Sequence, residues 1–239
     1  MNQTNYNAKK LAFCLFIIMP FILTAQFKFT KNEITGGHSN IQKIILLDID
    51  GDTNIDIVTS GNNKVYWFKN DGSGNFTRSE VYSGSYTMYG LYVIDLDVDG
   101  HKDILSASDG NDEVAWHKNS GTNPITWTKH VISSLAEGAR SVYAIDMDGD
   151  THIDVLSASP DDGKIAWYEN SGTSPPTWTE HQVGTGLSAD MNVAAGDLDG
   201  DGLVDVIATG NDFTIFNKGN ASPTDFTTNI IQTGVNHTE

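Results

Sequence analysis

The chain has 239 residues and a formal net charge of −17, with 31 acidic side chains against 14 basic ones. That balance argues against nucleic acid, which needs a basic face, and against electrostatic docking on anionic lipid. A single cysteine, Cys14, excludes a disulfide framework, while 38% apolar content with 23 glycines suits a turn-rich β protein.

The first 25 residues read as a secretory signal. Lys9 and Lys10 supply the positive region, and Leu11 to Leu23 is apolar but too short for a membrane span. Ala25 is the expected last residue before cleavage, although Leu23 is larger than the ideal residue two places earlier. Cys14 lies inside this segment, so residues 26–239 would form an extracellular domain without cysteine. A bound metal is then the expected staple, because a ligand that binds only the folded form stabilises it by mass action. Next comes a β-type run, Phe29-Thr30-Lys31-Asn32-Glu33-Ile34, which resembles the later Phe76-Thr77-Arg78-Ser79-Glu80-Val81.

From residue 48 onward one acidic loop recurs four times, at intervals of about 50 residues. The first copy is Asp48-Ile49-Asp50-Gly51-Asp52-Thr53-Asn54-Ile55-Asp56. Aspartates hold positions 1, 3, 5 and 9 in each: Asp48, Asp50, Asp52 and Asp56; Asp95, Asp97, Asp99 and Asp103; Asp146, Asp148, Asp150 and Asp154; Asp197, Asp199, Asp201 and Asp205. Two carboxylates about 4 Å apart repel by roughly 4 kcal/mol at the effective dielectric near a protein surface. Four in one turn therefore call for a cation. Calcium suits an all-oxygen set in flexible geometry, magnesium wants a strict octahedron, and zinc prefers Cys or His. Position 7 (Asn54, His101, His152, Leu203) is expected to contribute only its backbone carbonyl, and position 9 to be a bidentate carboxylate. Up to four structural calcium ions follow. The EF-hand pattern fails, since position 12 is not Glu and the flanks are β-type. Gly100 and Gly202 stand at position 6, where a left-handed turn is expected, but Thr53 and Thr151 replace them in the first and third copies, which predicts weaker or differently shaped sites.

Two further runs recur behind each loop. One carries a tryptophan: Val65-Tyr66-Trp67-Phe68-Lys69-Asn70, Val114-Ala115-Trp116-His117-Lys118-Asn119, Ile165-Ala166-Trp167-Tyr168-Glu169-Asn170, and, with Phe216 instead, Thr214-Ile215-Phe216-Asn217-Lys218. The other follows a Gly/Ser/Pro-rich turn: Phe76-Thr77-Arg78, Trp127-Thr128-Lys129, Trp178-Thr179-Glu180 and Phe226-Thr227-Thr228. Each unit thus predicts four strands: one before the Asp loop (Leu91 to Ile94, Val142 to Ile145), one leaving it (Asp103 to Ala107, Asp154 to Ala158), the tryptophan strand, and an outer strand. The tryptophan strand is apolar on both faces, as a sheet sandwiched between two others requires. An all-β propeller of four-stranded blades, with four complete blades, is the expected fold.

The Asp-x-Asp-x-Asp-x-x-x-Asp loop followed by Val/Ile-x-Trp-Phe/Tyr-x-Asn resembles the FG-GAP/VCBS repeat family, including the calcium loops of the integrin α-subunit propeller, over 26–239. The resemblance implies a ring of seven blades, and the spacing predicts a fifth Asp loop at about residue 245, past Glu239. The domain is therefore expected to be incomplete at its C-terminus, with a closed four-bladed ring as the rival.

The turns opposite the Asp loops vary most between copies, which is where ligand contacts often sit. Just ahead of the first strand of each unit stand Gln42, Tyr89, Arg140 and Met191, and Tyr89 and Arg140 are the ligand candidates. His130 and His181 occupy equivalent outer-strand positions and read as scaffold. No Gly-x-Ser-x-Gly, His-Glu-x-x-His or phosphate loop is present. The reading is a secreted or cell-surface binding or adhesion module for a protein or glycan, not an enzyme. The alternatives are the propeller part of an extracellular carbohydrate-active enzyme (lyase, hydrolase or dehydratase) and a structural spacer in a larger surface protein.

Overall fold

The computed structural model describes residues 34, 38–186, 191–210, 213–218, 222 and 224–232. Two compact units divide the chain, Met1–Glu33 and Ile34–Glu239. The expected signal segment, the run from Phe29 to Glu33 and the turn Asn211-Asp212 lie outside the described residues. Among the described residues, no helix is long and apolar enough to cross a membrane.

The described residues of the second unit form sixteen strands: β1 (Ile41–Leu47), β2 (Asp56–Gly61), β3 (Lys64–Asn70), β4 (Phe76–Ser83), β5 (Met88–Ile94), β6 (Asp103–Ser108), β7 (Glu113–Asn119), β8 (Trp127–Ser133), β9 (Ser141–Ile145), β10 (Asp154–Ser159), β11 (Lys164–Asn170), β12 (Trp178–Gly184), β13 (Asn192–Gly196), β14 (Asp205–Thr209), β15 (Phe213–Lys218) and β16 (Phe226–Gln232). They form four antiparallel sheets of four consecutive strands each, the blades expected from the repeat. The strand leaving each Asp loop pairs with both its neighbours. In every blade the register slips once between the third and fourth strands, as at Val65/Tyr66 and Val114/Ala115. A bulge at the same place in each copy bends the outer strand identically, which keeps the blades congruent.

The innermost strands touch in chain order, β1 to β5 to β9 to β13. Between successive blades lie three apolar cores. The first joins Val58, Val65 and Trp67 to Leu91 and Ile104; the second joins Leu105 and Trp116 to Val142 and Val155; the third joins Leu156 and Trp167 to Val193 and Val206. The tryptophan strands β3, β7 and β11 are buried on both faces over four consecutive residues, as sandwiched sheets should be. Position 2 of each Asp loop reads out the stacking. Ile49, Leu96 and Met147 are 1–3% exposed beneath a following blade, whereas Leu198, in the last described blade, is 49% exposed. Each full burial of such a side chain contributes about 1.5–3 kcal/mol.

His117 shows what one blade gives up. It stands where blade one has Phe68 and blade three has Tyr168, and it is 1% exposed. Its Nε2 lies 2.8 Å from Ser106 Oγ, as Tyr168 OH lies 3.1 Å from Ser157 Oγ one blade on. Burial pushes the imidazole down to about 3, helped by the nearby positive charges of Lys129 and His130. The unfolded chain takes a proton near pH 6.5 and the folded chain refuses it. Stability from this group is therefore full above pH 6.5 and falls as pH drops toward 3. His117→Tyr, which copies blade three, is expected to flatten urea-unfolding stability between pH 6.5 and 5, where each unit of wild-type slope is worth about 1 kcal/mol. An unchanged slope would show that His117 titrates freely.

Candidate metal centres and the opposite rim

The four Asp loops connect the first and second strands of their blades and share one hydrogen-bond plan. Position 1 caps the turn. Asp48, Asp95, Asp146 and Asp197 each accept the position-6 N–H on Oδ2, at 2.8, 2.9, 2.9 and 3.1 Å. Position 5 accepts the position-7 N–H on Oδ1, through Asp52, Asp99, Asp150 and Asp201, at 2.8–3.0 Å. The position-5 contacts are short-range Asx turns, and the position-1 contacts close the turn across five residues.

Position 9 has a role the sequence did not reveal. Asp56, Asp103, Asp154 and Asp205 are fully buried. One oxygen of each accepts the position-2 N–H of its own loop, from Ile49, Leu96, Met147 and Leu198. The other accepts an N–H at the end of the third strand, from Asn70, Asn119, Asn170 and Lys218, at 2.8–2.9 Å. The residue expected as a bidentate ligand is thus also a clamp between loop and sheet. Burial pushes Asp103 and Asp154 up to about 6, against the pull of these backbone donors. Their charge is costly to hold without a cation.

Backbone conformation shows a second hidden regularity. Positions 4 and 6 are both left-handed in every copy. Position 4 is Gly51, Val98, Gly149 and Gly200, with φ of 77°, 57°, 83° and 82°; position 6 is Thr53, Gly100, Thr151 and Gly202, with φ of 72°, 91°, 78° and 88°. Thr53 and Thr151 therefore keep the loop shape, and the difference expected of them appears as strain of about 1–2 kcal/mol at each β-branched residue. Val98 carries the same strain in the second loop. Glycine at position 4 in three of four copies was the available signal.

The Asn-x-Gly that ends each tryptophan strand completes the loop. Asn70, Asn119 and Asn170 donate from Nδ2 to the position-8 carbonyl, at 3.0–3.1 Å, and accept from the glycine two residues on, at 3.0 Å. A Cβ on Gly121 or Gly172 would come within 2.2 Å of the position-7 ring, His101 or His152, so glycine is required there. In blade four Lys218 replaces the Asn, so the register puts Phe216 where blade one has Phe68, and Ile215, not Phe216 as the sequence suggested, where blade one has Trp67. The buried ammonium of Lys218 reaches back to donate to the Met147 carbonyl at 2.7 Å.

Three aspartates per loop bring one oxygen each within 4.8 Å of one another: Asp48, Asp50 and Asp56; Asp95, Asp97 and Asp99; Asp146, Asp148 and Asp154; Asp197, Asp199 and Asp205. Oδ1 of Asp50 and of Asp97 is buried with no hydrogen-bond partner. Buried carboxylate oxygens without donors are what a hard cation would satisfy, and an oxygen-only set is compatible with calcium. Asn54, His101, His152 and Leu203 occupy position 7 of these loops, and among the described residues no imidazole joins any of the four groups.

At the other end of the same strands, Gln42, Tyr89, Arg140 and Met191 meet around one cavity of about 280 Å³. The Arg140 guanidinium lies 5.0 Å from the Tyr89 ring centroid and donates from Nε and Nη2 to Asp109 Oδ2 at 3.2 and 3.0 Å. The turns between second and third strands, read as variable ligand loops, also tie blades together: the Asn62 carbonyl accepts from Met88 N–H, and Asp112 Oδ1 accepts from Gly138 N–H, both at 2.9 Å. His130 and His181 lie over Trp116 and Trp167 with ring centroids 4.8 and 4.7 Å apart, which is scaffold packing. Separate clefts of about 430 and 540 Å³ open between blades one and two and between blades two and three, beside Lys69 and Lys118 respectively.

A family model described as FG-GAP-like repeat matches the chain three times, over residues 48–105, 95–157 and 146–208. No curated protein matches it. Among solved structures, an Agrocybe aegerita lectin, described as specifically recognising non-reducing terminal N-acetylglucosamine, is similar with a TM-score of 0.56 and 19% identity, over 81% of this chain and 53% of that one. The chain spans about half the length of that lectin, and the likeness is one of fold.

Proposed function

The chain belongs to the FG-GAP-like repeat family, and from that premise we propose that it is a secreted, calcium-stabilised β-propeller whose work is binding, with an extracellular glycan as its partner. Calcium in the four Asp loops would be structural. Asp48, Asp50, Asp52 and Asp56, with their counterparts in the other blades, would hold it, and the ion's two positive charges would offset the carboxylate repulsion in each loop. A net charge of −17, to which sixteen loop aspartates contribute, is consistent with that role.

The observation that carries the binding reading is the rim cavity. Equivalent positions of four blades, otherwise repeats of one another, present four different side chains there: Gln42, Tyr89, Arg140 and Met191. A repeat whose blades present different side chains where they converge is a scaffold suited to carry a specific surface. An aromatic ring beside a guanidinium and an amide supplies a stacking face and hydrogen-bond donors, the chemistry a sugar ring needs. The lectin of similar fold supports a glycan over a protein partner.

The full chain in calcium buffer is expected to retain glycans on an array, terminal N-acetylglucosamine being the first probe. Tyr89→Ala should weaken that retention about tenfold or more with little change in melting temperature. Tyr89 is the better probe, because Arg140 also ties blade three to Asp109. Retention of no glycan, together with product release from a polysaccharide panel, would replace this reading with a catalytic one.

A further inference from the structure

The four loops are alike in their aspartates and unlike in what faces them. The side chain just before the terminal Asn of each tryptophan strand, or before Lys218 in blade four, lies beside position 3 of its own loop. It is Lys69, Lys118, Glu169 and Asn217 in turn. Lys69 pairs with Asp50 and, at 3.1 Å, with Asp52. Lys118 pairs with Asp97 and, at 2.8 Å, with Asp99. Each ammonium therefore sits on two carboxylates of the metal-ligand set, and only Oδ2 is used, which leaves Oδ1 of Asp50 and Asp97 as the unpartnered buried oxygens.

The other two loops have no such occupant. Glu169 adds a carboxylate beside Asp148 and engages His181 at 2.7 Å. Asn217 offers a neutral amide to Asp199 at 3.2 Å. Among the described residues the only ion pair on these loops is His152 with Asp150, on the exposed side. Lys218 approaches the third loop from blade four and its charge acts on Asp148, Asp154 and Asp146, but the ammonium is held by the Met147 carbonyl and the face of Trp167, 5.1 Å away, so it forms no ion pair with a ligand.

We infer that Lys69 and Lys118 are built-in competitors for the metal, dividing the four loops into a weaker pair in blades one and two and a tighter pair in blades three and four. The inference rests on the calcium reading of the loops. A cation entering the first or second loop must displace an ammonium from two of its ligands, and a displaced lysine still repels it at short range. In the third and fourth loops, among the described residues, no lysine ammonium is ion-paired to a ligand and none has to be displaced. The tether makes the competition permanent: each lysine is on the strand that its own loop is clamped to, so dilution never removes it. Such lysines would keep blades one and two folded when calcium is scarce, and reserve the pure carboxylate sites for the metal.

Calorimetric titration of the calcium-stripped full chain tests this. The wild type is expected to show two classes of two sites each, separated by about five- to tenfold in Kd. K69Q/K118Q should bring the weaker class to the affinity of the tighter one, at a small loss of metal-free stability. As a converse that adds rather than removes a charge, Glu169→Lys should move one site from the tighter class to the weaker. Uptake of calcium by the wild type with four indistinguishable sites, or with a weaker class that K69Q/K118Q leaves in place, would overturn the inference alone. No uptake by the wild type would overturn the calcium reading, and this inference with it.

Discussion

Asp154→Ala is expected to cost about 3–5 kcal/mol of folding stability in urea unfolding, in chelator as well as in calcium. Asp154 is fully buried, and its two oxygens accept the Met147 and Asn170 N–H groups at 2.8 Å each. Removing it strands two buried donors, at about 1–3 kcal/mol apiece, and leaves a cavity at the joint of loop and sheet. Relief of the burial cost that, with the neighbouring carboxylates, raises its pKa to about 6 offsets part of the loss in chelator. Asp150, at position 5 of the same loop, provides the control. It is exposed, and its backbone partner is one local N–H. Asp150→Ala should cost under about 1 kcal/mol in chelator, yet remove the calcium increment of its loop. A position-9 change no costlier in chelator than the position-5 change would show that the clamp carries no folding energy and that these aspartates serve the metal alone.

The blade and its loop were largely legible in the sequence because both are local and repeat. Four in-register copies of Asp-x-Asp-x-Asp, each with a tryptophan strand some 20 residues on, define a four-stranded unit whose hairpins need no long-range information. Apolar residues on both faces of Val65-Tyr66-Trp67-Phe68 announced a sandwiched sheet, and the three interblade cores are built on those residues. What stayed hidden depends on backbone geometry or on contacts between segments. That position 4 is left-handed could not be read from Val98. The clamp at Asp56, Asp103, Asp154 and Asp205 looks, in sequence, like one more ligand. The meeting of Lys69 with Asp50 joins residues 19 apart that only strand pairing brings together, and that Asn217 is the blade-four counterpart of Lys69 follows only from the strand register, since aligning Phe216 with the tryptophans would put Lys218 there. On the rim, Tyr89 and Arg140 stood out because they break a repeat, but their mutual contact, and the tie from Arg140 to Asp109, belong to the packing of blade two against blade three.

We propose that a divalent cation in the Asp loops holds the blades of a chain whose single cysteine cannot form an internal disulfide. Carboxylates packed within 4.8 Å, with buried oxygens lacking donors, leave the metal-free protein under repulsive strain. Each site filled at a hundredfold excess over its Kd would add about 2.7 kcal/mol. Two or more such sites in a domain of this size correspond to a rise in melting temperature of about 10–20 °C. Thermal melting of the full chain in calcium, in magnesium and in chelator is therefore the most direct test. The predicted result is a melting temperature at least about 10 °C higher in calcium than in chelator, with magnesium restoring little of the difference because it dehydrates reluctantly and demands an octahedron. Coincident melts in calcium and chelator would contradict the account.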